Sequence, residues 1–212
     1  MPPQSWELDL STNRNLGGFG STTLRVYGRL ISDIVDQIPI GETGESPGNL
    51  ESATVYGVES RTTFLFDPLG WRGAKLDARL NLQTSSVEDP LTGERRQISG
   101  STMRNMEVSL RRDVPGTDWA WGGNAAHSRS ARNFRLGEIA LLTEGPVFGG
   151  VFVEHKDVLG LTVRGVLGNI FGGRNLLERT VYSGRRTGPV AFVERRQRAG
   201  GPVFSVSISG AI

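Results

Sequence analysis

Residues 75–83 alternate without a break, setting Leu76, Ala78, Leu80 and Leu82 against Lys75, Asp77, Arg79, Asn81 and Gln83. A period of two places the aliphatic set on one face of an extended strand and the charged set on the other. Such a strand separates two unlike surroundings, so the charged face meets water or a polar lumen. The aliphatic face needs either a core or a lipid bilayer. The pattern recurs along the chain. Trp6, Leu8 and Leu10 oppose Glu7, Asp9 and Ser11, and Leu24, Val26 and Leu30 oppose Arg25, Tyr27 and Arg29. Tyr56, Val58, Phe64 and Phe66 oppose Glu59 and Arg61, and Met106, Val108 and Leu110 oppose Glu107, Ser109 and Arg111. Leu161, Val163 and Leu167 oppose Thr162 and Arg164; at the C-terminus Phe204, Val206, Ile208 and Ile212 oppose Ser205, Ser207 and Ser209. With a sixth strand opening at Asp118-Trp119-Ala120-Trp121 and a less regular seventh over 146–154, the chain reads as nine main strands.

Composition narrows what the apolar faces can meet. Only 37% of the 212 residues are apolar, against about 45–50% for a globular chain on a count that includes glycine. Few side chains are therefore left for a conventional core. The absence of cysteine excludes disulfides and thiolate metal sites, and two histidines make a His-rich site improbable. The net charge of +2 excludes a polybasic character. Met1-Pro2-Pro3-Gln4 has neither the basic nor the apolar region of a signal peptide. No run of 18 apolar residues exists, which excludes a transmembrane helix. Transmembrane strands stay open, because only every second residue of such a strand must be apolar.

The connections alternate in length. Short turns follow the first, third, fifth and seventh strands, and long polar loops follow the second, fourth, sixth and eighth. Residues 36–49, with two prolines and three glycines, are expected to be a loop, and 88–100 another. Residues 133–144 are expected to be a loop with a helical turn, and the arginine-rich 175–200 a long loop or hairpin with β-like pieces near 180–182 and 190–193. If the short turns share one side, Phe64, Phe66, Trp71, Trp119 and Trp121 lie at one depth and Trp6 and Phe204 at the other. Two aromatic girdles, long strands and one-sided long loops describe an outer-membrane barrel wall.

Specific residues then carry a family likeness. Asn49 followed by Ala53-Thr54-Val55-Tyr56-Gly57-Val58-Glu59 resembles a strand signature of TonB-dependent outer-membrane receptors. Leu161-Thr162-Val163-Arg164-Gly165-Val166-Leu167-Gly168-Asn169-Ile170-Phe171-Gly172 resembles that family's penultimate-strand motif, and the terminal strand sits where the family's last strand sits. The resemblance implies a plugged barrel of roughly 22 strands. It also implies uptake of scarce ligands such as iron-siderophore complexes across the Gram-negative outer membrane. The partners implied are outer-membrane lipid, lipopolysaccharide, a small ligand such as a metal chelate, and the TonB complex through a plug. The chain departs from the pattern by lacking the plug, the energy-coupling box and about half the barrel. Gly172-Gly173 stands in place of the usual aspartate, and Ile212 in place of a terminal aromatic residue.

Other chemistry has less support in the residues. His127 with Asp118 and Ser128, or His155 with Asp157, could be parts of a hydrolase site, but no Gly-x-Ser-x-Gly elbow accompanies them. Glu88, Asp89 and Glu94 share a loop without EF-hand spacing. Arg95, Arg96, Arg185, Arg186, Arg195, Arg196 and Arg198 lie in loops without stacking aromatics, which favours lipopolysaccharide phosphate or an anionic ligand over nucleic acid. Arg25, Arg29, Glu59, Arg61, Lys75, Asp77, Arg79, Glu107 and Arg111 are expected to line a lumen and to pair across strands. Gly17-Gly18-Phe19-Gly20 is expected to be a turn. The expectation is an all-β antiparallel meander of about nine or ten strands over residues 1–212. It forms part of a large transmembrane barrel, is an open sheet when alone, and has no catalytic, cofactor or metal residues. The alternatives are a free-standing small barrel and a soluble β-sandwich binding module.

Overall fold

The computed structural model describes residues 2–145 and 147–210. Pro146 and Ile212, which the sequence places on strands, lie outside the described residues. Fourteen strands follow one another among them: β1 (Gln4–Asn15), β2 (Gly20–Ile40), β3 (Gly44–Leu65), β4 (Ala74–Glu88), β5 (Arg95–Arg96), β6 (Thr102–Asp113), β7 (Trp119–Ser130), β8 (Asn133–Phe134), β9 (Glu138–Gly145), β10 (Phe148–Val158), β11 (Leu161–Gly168), β12 (Arg174–Tyr182), β13 (Val190–Ala199) and β14 (Val203–Ser209). Nine pair in the order β1-β2-β3-β4-β6-β7-β10-β11-β14, with β5 added to β4. All of these pairings are antiparallel. The sheet is open, with β1 and β14 as its two edges.

Two expectations are corrected, and a third region takes one of its two expected forms. Residues 36–49 are not a loop, because β2 and β3 continue as a paired ribbon to Ile40 opposite Gly44. Past Ile34 and Leu50 this ribbon has no third strand beside it. Pro39 and Pro47 sit in that stretch, where an unpaired outer edge asks no N–H of them. Residues 133–144 form β8 and part of β9 with no helical turn. The 175–200 region is a strand hairpin, β12–β13, belonging to a second sheet of order β13-β12-β9-β8. The chain thus leaves the main meander after β7 to form β8 and β9, and again after β11 to form β12 and β13.

The connections separate by length as expected. The turns at 16–19, 66–73, 114–118 and 159–160 lie at one end of the main sheet, and the ribbon tip, the 89–101 loop and both excursions lie at the other. At the short-turn end Phe19, Phe64, Phe66, Trp71 and Trp121 form a continuous run of ring contacts, 5.0 to 6.2 Å between centroids. Trp6 and Phe204, near the starts of β1 and β14, mark the opposite end.

The main sheet has no apolar core of its own. Trp6, Leu8, Leu10, Phe204 and Ile208 are more than 60% exposed, and Leu24, Val26, Val108, Val151 and Val153 about half exposed. The buried apolar cluster lies instead at the long-loop end, where Ile34, Leu50, Ala53 and Val87 pack with Ile31, Ile38 and Ile98. Globular packing is therefore confined to the loop layer.

Candidate functional site

Strand pairing carries the alternation of single strands across the whole sheet. On one face stand Trp6, Leu8 and Leu10, then Leu24 to Leu30, Tyr56 to Phe64, Leu76 to Leu82, Met106 to Leu110, Trp119 to Ala125, Val151 and Val153, Leu161 to Leu167, and Phe204 to Ile208, each taken at every second residue. No Asp, Glu, Lys or Arg occupies any of these positions. Arg104 and Arg112 bracket the band on β6. No second sheet covers it among the described residues.

The band crosses the strands obliquely. The row through its centre on β1 runs Leu8, Gly28, Tyr56, Thr84. The row through its centre on β14 runs Val206, Gly165, Val153, Trp121, Arg112, Ala74. The two rows meet β4 ten residues apart, at Thr84 and Ala74, after eight steps from strand to strand. That drift is about 1.25 residues, or about 4 Å, for each step of about 4.8 Å. The band runs level only if the strands tilt by about 40°.

The opposite face holds the predicted lumen residues, and most of them pair across strands. Arg29 bonds Glu7 at 2.6 Å, and Arg25 contacts Glu7, Asp9 and Glu59. Lys75 reaches Asp77 at 2.9 Å, which also accepts from the Thr63 hydroxyl. Arg111 bridges Asp113 and Glu154, Arg164 reaches Glu154, and Lys156 reaches Asp113. Arg79 is 3.7 Å from Glu107. Tyr27 lies flat over Gly57, where a Cβ would stand 2.3 Å from its ring, and donates to Gln83 Oε1 at 2.8 Å. The absence of a side chain at Gly57 is what lets the ring lie there.

The second constellation is the ion cluster of the loop layer. Arg96 bonds Asp89 at 2.6 Å and Asp36 at 2.9 Å, and Arg186, from the β12–β13 turn, bonds Asp89 at 2.8 Å. All four side chains are nearly inaccessible. Both guanidiniums lie against the Phe134 ring, at 4.7 and 5.5 Å. Burial alone would raise the Asp89 carboxyl, but hydrogen bonds from Arg96, the Leu91 backbone and Arg186 outweigh it and hold it below the usual carboxylate range. Glu45 is likewise held low by the Leu136 N–H at 2.6 Å and by Arg135. Arg185 donates to the carbonyls of Gly41 and Glu42. These contacts fasten the second sheet to the β2–β3 ribbon and the 89–101 loop.

Of the remaining candidates, His155 and Asp157 stay together, the Asp157 N–H donating to His155 Nδ1 at 3.3 Å with no nucleophile beside them among the described residues, and the others separate. Asp118 and His127 lie at opposite ends of β7, nine residues or about 30 Å apart, so no triad assembles. His155 packs edge-on against Trp119, and His127 contacts Arg104. Asp89 faces arginines rather than a cation site, and no group of acidic or histidine side chains that could hold a metal occurs among the described residues. Of the arginines expected in loops, only Arg185 and Arg186 lie in one, since Arg95 and Arg96 form β5 and Arg195, Arg196 and Arg198 stand on β13; Arg96 and Arg186 are buried, Arg195 pairs with Glu178 and Arg196 with Glu194, while Arg95 and Arg198 are exposed. Gly17–Phe19 is a 3-10 turn, as expected in kind.

Sequence reasoning missed the ion cluster and the role of Asn169. That residue adopts φ +54, accepts from Gly173 N at 2.6 Å and donates to Gly200 O at 2.6 Å, which ties both ends of the second excursion together. An asparagine followed by glycines was the available sign, since Asn tolerates a left-handed backbone. Compared with protein-family models, with curated proteins and with solved structures, the chain gives no match.

Proposed function

We propose that this chain is a wall segment of a large outer-membrane β-barrel of the TonB-dependent receptor type, its C-terminal part. It serves uptake of scarce ligands such as iron-siderophore complexes rather than catalysis. The observation that carries this reading is the uncharged band, which runs level at a strand tilt of about 40°, within the 35–45° of membrane barrels. Arg104 and Arg112 lie eight residues apart on β6, which is about 26 Å along the strand and about 20 Å along the normal at that tilt. That height is close to the apolar belt of about 25 Å that such barrels present to lipid. The charged face is then the lumen, the short turns face the periplasm, and the loop layer with its exposed arginines faces lipopolysaccharide.

A soluble sandwich would need a second apolar layer over the band. A free-standing barrel would need β1 paired to β14, whereas both are edges. The test is expression in a Gram-negative host behind an added export signal. The chain is expected in the outer-membrane fraction, extracted by detergent alone, with migration on a gel that changes on heating. Recovery as a detergent-free soluble monomer overturns the reading.

A further inference from the structure

On the charged face, cations and carboxylates are matched with one exception. Arg25, Arg29, Lys75, Arg79, Arg111, Lys156 and Arg164 each have a carboxylate within 4 Å. Among the described residues Arg61 has none. It pairs in register with Arg79 on β4, so two guanidiniums face each other across adjacent strands. Directly opposed side chains have Cβ atoms about 5 Å apart, and like charges so placed repel. Relief from neighbours is slight, because Glu107 is 3.7 Å from Arg79 and half exposed, and Asp77 is held by Lys75 and Thr63. The pair opens into a groove lined by the hydroxyl-bearing side chains of Ser21, Thr23, Thr63 and Ser109 and by Lys75, Asp77 and Glu107.

We propose that Arg61 and Arg79 form an anion subsite on the charged face, taking a carboxylate or phosphate group of a small solute. A planar guanidinium offers two parallel N–H donors to either group, and two guanidiniums side by side offer four. Bound there, an anion replaces the repulsion between the arginines with two attractions, and Thr23 beside Arg61 supplies a neutral donor. Arg95, exposed at the long-loop end, has no such partner across the strand, since it faces Glu88. The subsite does not depend on what covers the apolar face.

The test is isothermal titration calorimetry of the full chain in neutral detergent with citrate and with inorganic phosphate, at matched ionic strength. At least one is expected to bind saturably, and the one that does identifies carboxylate or phosphate as the group preferred. Arg61→Gln and Arg79→Gln should each weaken binding at least tenfold, with Arg95→Gln unchanged. Arg61→Lys keeps the charge without the fork and should weaken binding by less than Arg61→Gln. Far-UV circular dichroism checks that each variant is folded, which Arg61→Gln should be, since it removes the repulsion. No saturable binding of either anion, wild-type affinity in Arg61→Gln, or an equal loss in Arg95→Gln would overturn the proposal.

Discussion

Val108 gives the sharpest test of what the uncharged band meets. It lies midway between Arg104 and Arg112 on β6 and pairs with Ala78 and Ala125, so its side chain has small neighbours and is 43% exposed. There is room for an arginine without a steric clash, so Val108→Arg reports the surroundings rather than packing. Against water, a substitution at so open a site shifts stability by about 0.5 kcal/mol or less. Against the bilayer midplane it costs about 2–4 kcal/mol, or roughly 30-fold to several hundred-fold in the folding equilibrium. Two residues nearer the edge, Leu110→Arg should cost about 0–1 kcal/mol more than in water, because the penalty falls toward the interface. Ser109→Arg, on the charged face between them, should cost little. The assay is urea unfolding in phospholipid vesicles followed by tryptophan fluorescence. Equal stabilities for Val108→Arg and Ser109→Arg would refute the assignment of the band to lipid.

Three further outcomes follow from the structure. Arg96→Met leaves Asp36 and Asp89 buried without their shared partner, and should cost about 3–5 kcal/mol; limited proteolysis should then cut the 131–147 and 169–202 excursions much faster, while unchanged cutting argues against the clamp. Asp89 and Glu45 both have lowered carboxyl pKa values, so the stability they contribute is complete above the usual carboxylate range near about 4 and is lost as pH falls through the lowered values. Amide protection factors in β8, β9 and β12, which correct exchange for its intrinsic pH dependence, should accordingly fall below about pH 4 and stay level between about 5 and 8, and Asp89→Asn should blunt that response. Gly57→Val displaces Tyr27 from its seat and breaks its bond to Gln83, with a loss of about 1–3 kcal/mol measurable as a lower unfolding midpoint.

The main sheet was legible because its determinants are local. Alternation at residues 75–83 or 203–209 needs no knowledge of neighbours, and antiparallel hairpins then bring like faces together through turns that glycines such as Gly73 make possible. Gly73 has φ +73, and a Cβ there would sit 2.1 Å from the Asp113 carbonyl. The drift of the band was not legible, because it is a property of register summed over eight strand pairs. The loop layer was misread for a related reason. Pro39, Pro47 and the glycines of 41–48 read as breakers, yet at the edge of a two-stranded ribbon they break nothing. Asp36, Asp89, Arg96 and Arg186 are scattered over 150 residues, and only the fold makes them one cluster.

The direction of the edge strands limits how such a wall can close. Nine strands alternate along the main sheet, so β1 and β14 both run from the long-loop end to the short-turn end. Joining them directly would create a parallel seam in an otherwise antiparallel wall. Two copies joined edge to edge would contain two such seams. A fully antiparallel ring needs an odd number of additional strands between β14 and β1, about 13 for the roughly 22 that the family resemblance implies. Unpaired edges do not persist in hydrocarbon, so within the proposed barrel both edges must be met by strands of opposite direction. The chain has no cysteine, so cysteines introduced at Leu8 on β1 and at Phe204, Val206 or Ile208 on β14 would report self-closure alone. A disulfide needs Cα atoms within about 4.4–6.8 Å, which neighbouring strands supply and opposite edges of an open sheet do not. Under oxidising conditions none of these pairs should cross-link within one chain; an intramolecular disulfide in any of them would show that the sheet closes on itself and that the wall is complete as it stands.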